Sequence, residues 1–228
     1  MSCVLRFAVM RAYKFLDAKW GLENIKNRRL KQSRVSDLND PFELRSYDVT
    51  DLALRMAFST TSEDIDKARG LLCFSVDWQN PVIWAHYSDK HKGLCLGFEL
   101  PEIKEDPKSD AGYVKYVQHL SPFPFNFESM AESEHDRFAR SALFTKYRDW
   151  AYEKEIRVWS QLTNEDNGLY FVPFGESMLL TEVIIGQKCV LSKAQIVSAL
   201  GPLTDEVKIL KARAAYDRFE MVEDEHGP

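Results

Sequence analysis

The length, composition and charge of the chain exclude several classes of protein. With 228 residues, 45% of them hydrophobic and 29% charged, the chain is long enough to bury a core and too apolar to be disordered. The formal net charge of −5 argues against a protein that coats nucleic acid by bulk attraction. Because no segment resembles a membrane span or a secretion signal, we expect a cytoplasmic protein with no membrane partner that starts at Met1 or Met10.

Hydrophobic periodicity and turn residues predict a mixture of strands and helices along the whole chain. In chain order the first half is predicted to contain a strand at 12–16, a helix at 22–30, a loop at 33–43, a helix at 51–58, a strand at 70–76, a helix from Pro81 through Tyr87 and a strand at 94–100. The second half is predicted to contain a strand at 113–117, an irregular lid-like segment at 121–126, a long helix at 128–151, strands at 155–162, 169–174 and 179–185, a helix at 192–200, a strand at 207–212 and an acidic tail.

This order of elements favours an α+β fold with mixed or antiparallel sheets and flanking helices. We expect one domain over residues 1–228, with a core at about 12–190 and an extension from 191 to 228. No glycine-rich dinucleotide motif follows the first strand and no phosphate-binding P-loop is present, so the two common nucleotide-binding folds are disfavoured.

The four cysteines, Cys3, Cys73, Cys95 and Cys189, show no pairing rhythm and form no C-x-x-C motif. A zinc ribbon and a thioredoxin-like site are therefore excluded, and a reducing compartment fits best. Cys73 and Cys95 lie in apolar runs and are expected to be buried free thiols.

A loop at residues 39–43 combines turn-forming and charged residues. Asn39 and Asp40 before Pro41 are typical of side-chain turns that fix a loop, and Phe42 is expected to anchor it by burial. The residues alone leave the role of Glu43 open.

Glu155 stands at the start of a predicted strand. Alternation places Glu155 and Arg157 on the face opposite Ile156 and Val158, where the guanidinium would hold the carboxylate ionised. The same string fits a paired carboxylate on the surface, and Glu153 in the preceding turn adds the alternative of a site with two glutamates.

A second polar-aromatic segment contains Trp84, His86 and Tyr87 on the helix that begins at Pro81. A histidine in such a place serves as an acid, a base or, more commonly, a hydrogen-bonded structural residue. His91 is five positions from His86 and falls off the same helix face, so the sequence predicts no metal site.

Several strings in fixed order resemble the domain-of-unknown-function family 2971, a bacterial and phage group similar to the AbiGi abortive-infection proteins. The strings that carry the resemblance are residues 13–16, 29–33, 38–43, 73–75, 84–87, 91–93 and 150–157, and they cover the chain from about residue 12 to about residue 190. The family name implies no defined reaction.

A weaker resemblance links the layout to ADP-ribosyltransferases of the DarT type, and it implies an ADP-ribosyltransferase-like fold that uses NAD as co-substrate. It places Tyr13 at the first strand beside NAD, a serine such as Ser33 in the following loop, Trp84 or Tyr87 against nicotinamide, and Glu155 as the catalytic acid. Tyr13 and the following lysine replace the histidine and threonine expected in that family. Glu153 and His86 complete the candidate catalytic set, and Arg28, Arg34 and Arg157 are the candidate basic contacts to NAD.

The chemistry of this hypothesis is coherent. Cleavage of the nicotinamide–ribose bond passes through an oxocarbenium-like state that a neighbouring carboxylate stabilises, and acid–base help of this kind contributes about 10²–10⁴ in rate. The implied enzyme would modify a macromolecule, either nucleic acid or protein, in a phage-defence or toxin role with an antitoxin partner. Two alternatives stay open: a metal-independent ribonuclease built on His86, His91 and a glutamate, and a non-catalytic ligand- or partner-binding module.

Overall fold

The structure is a computed structural model that describes residues 8–104, 106–175 and 177–225. Cys3 and the alternative start at Met1 lie outside the described residues. The α-helices are α1 (Ala18–Asn27), α2 (Leu52–Ala68), α3 (Pro81–Tyr87), α4 (Glu132–Phe144) and α5 (Lys193–Leu200). Short 3-10 helices lie at Val35–Asp37, Phe127–Ser129, Arg148–Glu153 and Gly201–Leu203. In the described residues, no helix combines the length and the apolar character needed to cross a membrane.

The strands form mixed, mostly antiparallel sheets, which confirms the predicted α+β class. They are β1 (Val9–Leu16), β2 (Arg29–Lys31), β3 (Arg69–Ser75), β4 (Leu94–Pro101), β5 (Ala111–Tyr113), β6 (Lys115–Val117), β7 (Thr145–Tyr147), β8 (Glu155–Gln161), β9 (Glu165–Asp166), β10 (Leu169–Pro173), β11 (Leu179–Ile185), β12 (Lys208–Ala214) and β13 (Met221–Glu223). The pairs β11–β12 and β6–β7 are parallel, whereas β1–β3, β1–β4, β4–β11, β5–β8, β9–β10 and β12–β13 are antiparallel.

The chain divides into two compact units. The first contains Met1–Leu30, Phe74–Glu102 and Val172–Pro228, and the second contains Lys31–Cys73 and Ile103–Phe171. That these units belong to one domain stays a prediction.

In the first unit the strands lie in the order β13, β12, β11, β4 and β1, and Ser75 at the end of β3 pairs with Tyr13. Helix α1 packs at Gly21, where a Cβ would come within 2.8 Å of Leu94. Helix α3 packs through Trp84, whose ring centroid lies 5.1 Å from that of Phe15. Leu94 pairs with Leu16, the neighbour of Phe15, so the two helices cover opposite faces of this sheet.

In the second unit β8 lies between β3 and β5. A compact apolar core forms around the buried side chains of Leu44, Leu71, Phe144 and Trp159. Strand β8 and its neighbours therefore provide a fixed base for the charged residues described below.

Several predicted boundaries are wrong. Helix α2 continues to Ala68, beyond the predicted end at residue 58, because the hydroxyls of Thr60 and Thr61 donate to carbonyls one turn back, at 3.1 and 2.9 Å, and are satisfied within the helix. The long helix predicted at 128–151 stops at Phe144, after which the chain forms β7 beside β6 and then a 3-10 helix. The strand predicted at 113–117 is likewise divided into β5 and β6, with the buried Val114 between them.

Candidate functional site

Five charged side chains, called here the charge cluster, meet inside the second unit. They come from the loop after residue 39, from β7, from the 3-10 helix before β8 and from β8 itself: Glu43, Lys146, Glu153, Glu155 and Arg157. None of the five side chains is more than 8% exposed. Three carboxylates thus face two cations in a region from which water is largely excluded, an arrangement that is stable only when every charge is paired.

Arg157 is the centre of the charge cluster. Its Nε and Nη2 each donate to Glu155 at 3.1 Å, and Nη2 also donates to Glu43 Oε1 at 2.8 Å. Its Nη1 donates to the carbonyl of Leu143 at 2.9 Å and lies 2.8 Å from Glu43 Oε2. The prediction that Glu155 and Arg157 share one face of β8 is confirmed, whereas the alternative of a carboxylate on the surface is wrong because Glu155 is buried.

Lys146 joins all three carboxylates from the other side. Its Nζ lies 2.7 Å from Glu153, 3.5 Å from Glu43 and 3.7 Å from Glu155. The ammonium also lies 4.7 Å from the centroid of the Trp150 ring, a cation–π contact. Lys146 is therefore the shared counter-ion that allows the three glutamates to be buried together.

The surroundings move the pKa values of two glutamates in opposite directions. Burial raises the pKa of Glu43, and Arg157 and Lys146 offset this only in part. Burial also opposes ionisation of Glu155, but the charges of Arg157 and Lys146 outweigh it and lower the pKa of Glu155 below its ordinary value. For Lys146, burial is outweighed by Glu155, Glu153 and Glu43, so its pKa is raised and it stays charged. Two neighbouring carboxylates with opposite shifts are the arrangement in which one holds a proton while the other stays ionised.

Local sequence directs Glu43 into the charge cluster. Asp40 accepts a hydrogen bond from the backbone of Phe42 at 2.9 Å, which is the predicted side-chain turn. Leu44 then adopts a left-handed backbone with φ of 61° and turns its side chain into the apolar core. Phe42, which was expected to be buried, is 48% exposed, so the buried anchor of this loop is Glu43 and not the aromatic ring.

The start of β8 is fixed by its neighbours. The backbone N–H of Glu155 donates to the hydroxyl of Tyr116 at 2.9 Å, and its carbonyl accepts from the backbone of Val114. A hydrogen bond from Cys73 adds to the effect of the two cations on the pKa of Glu155. The carboxylate of Glu155 is thus held at a defined point by groups from three segments of the second unit.

A cavity of about 300 Å³, called here the Lys146 cavity, reaches the charge cluster at Lys146. It is lined by Phe42, Arg45, Ser46, Val117, Gln118, His119, Leu120, Thr145, Lys146 and Tyr147. A larger cavity of about 1080 Å³ lies between α2, the segment at residues 123–129 and α4, and its walls are mainly phenylalanine and aliphatic side chains. The larger cavity is lined in part by Leu44 and Leu143. Leu44 follows Glu43 in the chain, and the carbonyl of Leu143 accepts a hydrogen bond from Arg157.

Five of the predicted site residues lie in the first unit: Tyr13, Arg28, Trp84, His86 and Tyr87. Trp84 is fully buried, its indole N–H donates to the carbonyl of Trp78 at 2.6 Å, and it packs as a core residue. His86 is exposed and Tyr87 is half-buried, with their ring centroids 6.2 Å apart. Tyr13 is buried on β1, and burial raises the pKa of its hydroxyl. That Tyr87 and Glu155 line one cleft stays a prediction.

The other predicted contacts to NAD are partly engaged within the protein. Arg34 donates to the carbonyl and the carboxylate of Asp66 at 2.9 and 2.7 Å and thereby ties its loop to the end of α2. Ser33 pairs through its backbone with Leu71. Arg28 is exposed and ends α1 in a left-handed conformation with φ of 50°.

The histidines at residues 86, 91, 119 and 135, which the structure describes, do not converge on a metal site. His91 has a left-handed backbone and stacks on Trp84 at 6.3 Å, and burial followed by the charge of Lys188 lowers its pKa. Within residues 8–104, 106–175 and 177–225, no group of three or more His, Cys, Asp or Glu residues has the geometry to hold a metal ion.

Sequence reasoning missed Lys146 and left Glu43 undecided. Lys146 was hidden because a helix was predicted through it, and a lysine on a helix is ordinarily exposed. A usable signal was present in both cases: the aromatic and β-branched run around Lys146 favours a strand, and the turn at Asp40 fixes the direction of the residue that follows.

Comparison with known proteins supports the family resemblance. Residues 83–158 match the family described as "Protein of unknown function (DUF2971)", a segment that includes most of α3, all of β7 and the start of β8. Neither curated proteins nor solved structures gave a match to the chain. Four of the five residues of the charge cluster lie within the matched segment, and Glu43 lies outside it.

Proposed function

We propose that this DUF2971 chain is an enzyme that cleaves the nicotinamide–ribose bond of NAD and transfers ADP-ribose to a macromolecular acceptor. The observation that carries the proposal is the buried carboxylate of Glu155 at the start of β8. Burial opposes its ionisation, but the charges of Arg157 and Lys146 outweigh burial and lower its pKa. An ionised carboxylate in a region of low dielectric is the group that an oxocarbenium-like state requires beside it.

In this proposal Glu155 stabilises the growing positive charge on the ribose, and Glu43 receives or donates a proton. Glu43 suits that role because burial raises its pKa while that of Glu155 is lowered. Glu153, hydrogen-bonded to Lys146 at 2.7 Å, holds the ammonium in place and so positions the other two carboxylates.

Access to Glu155 requires a change in its contacts. One of its oxygens, Oε2, is shared between Arg157 at 3.1 Å and Lys146 at 3.7 Å, and the longer of these contacts is the weaker. Lys146 also lines the Lys146 cavity, so an anionic substrate there would draw the ammonium away from the carboxylates and leave Arg157 as the remaining cation on Oε2. Arg157 has no such outlet, because it is fully buried and bonded on every nitrogen.

The resemblance to AbiGi and DarT-type proteins supports a role in phage defence or as a toxin controlled by an antitoxin partner. The acceptor in this proposal is a macromolecule, either nucleic acid or protein. The net charge of −5 favours an acceptor recognised by local contacts over one bound by bulk attraction.

Release of nicotinamide from NAD tests the proposal. We expect turnover by the wild-type chain and its loss in Glu155→Gln, with the folded state of the variant checked by circular dichroism. Glu182→Gln is the matched control, because Glu182 is also a buried glutamate, paired with Arg11 at 3.0 Å, but lies outside the charge cluster. No turnover by wild type with any tested acceptor, or equal loss in both variants, would remove the support for a catalytic Glu155.

The larger cavity favours a second candidate, a module that binds an apolar small molecule. Its volume of about 1080 Å³ and its phenylalanine-rich walls fit a ligand pocket without any catalytic group. This candidate predicts that an apolar fluorescent dye binds to the wild-type chain and does not bind to Phe138→Ser. It also predicts that NAD is neither bound nor cleaved. Dye binding that is unchanged in the variant would count against it.

A further inference from the structure

The Lys146 cavity combines positive charge with aromatic walls. Arg45, Lys146 and His119 line it, and no carboxylate is among the described residues of its lining. Phe42 and Tyr147 contribute ring faces and are 48% and 40% exposed. Such walls suit a planar ring that carries an anionic group.

Ser46 gives a second and independent indication of a ligand. The residue lines the cavity and is only 4% exposed, yet its Oγ has no hydrogen-bond partner within the described part of the chain. A buried hydroxyl without a partner is uncommon, because the lost hydrogen bond costs about 1–3 kcal/mol. An acceptor supplied by a ligand would satisfy it.

The guanidinium of Arg45 is held in place by its own segment. The guanidinium of Arg45 lies 5.3 Å from the centroid of the Phe42 ring, so the cation and the ring occupy the same side of the cavity. Backbone bonds hold this segment, since Arg45 donates to the carbonyl of Phe42 at 3.0 Å and Ser46 accepts from Ser121 at 2.9 Å. Strand β7 supplies Lys146 and Tyr147 to the same lining.

We infer that the Lys146 cavity binds a nucleoside phosphate, with the phosphate on Arg45, Lys146 and Ser46 and the planar ring against Phe42 and Tyr147. A volume of about 300 Å³ lies at the lower end of the range for small-molecule sites and fits one mononucleotide and not a whole dinucleotide. The identification of that mononucleotide with one half of NAD rests on the proposed function. The inference that the cavity binds a nucleoside phosphate does not depend on the proposed function.

Calorimetric titration of the full chain with AMP, nicotinamide mononucleotide, adenosine and inorganic phosphate tests the inference. We expect at least one mononucleotide to bind, and adenosine and phosphate each to bind at least about ten-fold more weakly, because each offers only one of the two required groups. Binding of neither mononucleotide, or equal binding of the mononucleotide and inorganic phosphate, would overturn the inference.

Variants locate the binding to this cavity. Arg45→Ala is expected to weaken mononucleotide binding at least about ten-fold, since the bond to phosphate is charge-assisted. Arg55→Ala is the control, because Arg55 is an exposed arginine on α2 that does not line the cavity. Ser46→Ala removes a hydroxyl that has no partner in the described residues, so a loss of affinity in this variant would report ligand contact and not unfolding. Unchanged affinity in both Arg45→Ala and Ser46→Ala would overturn the inference.

The proposed reaction and the proposed nucleoside phosphate site can be refuted independently of each other. Turnover of NAD without mononucleotide binding would overturn the site and leave the reaction. Mononucleotide binding that depends on Arg45, without any turnover of NAD, would support the site and overturn the reaction.

Discussion

Replacing Lys146 with methionine removes the shared counter-ion of three buried carboxylates. Its Nζ has partners at 2.7, 3.5 and 3.7 Å. At an effective dielectric constant of about 20, one ion pair about 4 Å apart contributes about 4 kcal/mol, so the three attractions together are large. The cost of burying Lys146 offsets most of this, and removal of one partner from a buried ion cluster typically costs about 3–5 kcal/mol. We therefore expect the free energy of unfolding at neutral pH to fall by about 3–5 kcal/mol, or about two to three and a half powers of ten in the unfolding equilibrium.

Urea unfolding of Lys146→Met measures this loss, and Lys208→Met is its matched control. Lys208 also lies 2.7 Å from a carboxylate, that of Glu223, but these two side chains are 54% and 45% exposed. An exposed ion pair contributes at most about 1 kcal/mol, so the control should lose far less stability. Equal losses in the two variants would refute the claim that burial makes the charge cluster different from a surface ion pair.

Two further predictions concern pH and packing. Because the pKa of Glu155 is lowered, ionisation of Glu155 stabilises the fold at pH values above its ordinary pKa of 4.5. This stabilisation is lost as pH falls through the lowered pKa. Glu155→Gln should therefore become less stable relative to wild type as pH rises through this window. The pKa of Glu43 is raised, so the stabilisation that its protonation provides is lost as pH rises above 4.5. Glu43→Gln should therefore gain stability relative to wild type over that range. Unfolding at a series of pH values measures both effects, and stability differences that change with pH in the same direction for the two variants would contradict both statements. Gly93→Ala should lower the melting temperature, because its Cβ would lie 2.0 Å from the carbonyl oxygen of Leu16, whereas Gly175→Ala, with no atom within 4 Å among the described residues, should leave it nearly unchanged.

Periodicity alone predicted the part of the site that lies on one strand. Alternation along β8 requires Glu155 and Arg157 to share a face, and the two side chains do form a bidentate pair. The burial of this pair could not be read from spacing, because a surface strand gives the same alternation. The buried pair has partners from distant segments, among them Glu43, which is 114 positions from Arg157 in the sequence.

Contacts between distant segments explain the structural predictions that were wrong. Residues 145–147 were predicted to continue the helix, yet they form β7 because β6 offers a parallel partner and the carboxylates offer Lys146 a counter-charge. Phe42 resembles a buried anchor in sequence, but the left-handed turn at Leu44 sends the next aliphatic side chain into the core in its place. Contacts with other segments decided both cases.

Transfer of label from NAD carrying a radioactive adenine to macromolecules of a cell extract tests the central claim most directly. The account predicts that the wild-type chain produces label in the acid-insoluble fraction and that Glu155→Gln does not, while Glu182→Gln still does. Absence of transfer by wild type across nucleic acid and protein acceptors, or undiminished transfer by Glu155→Gln, would contradict it.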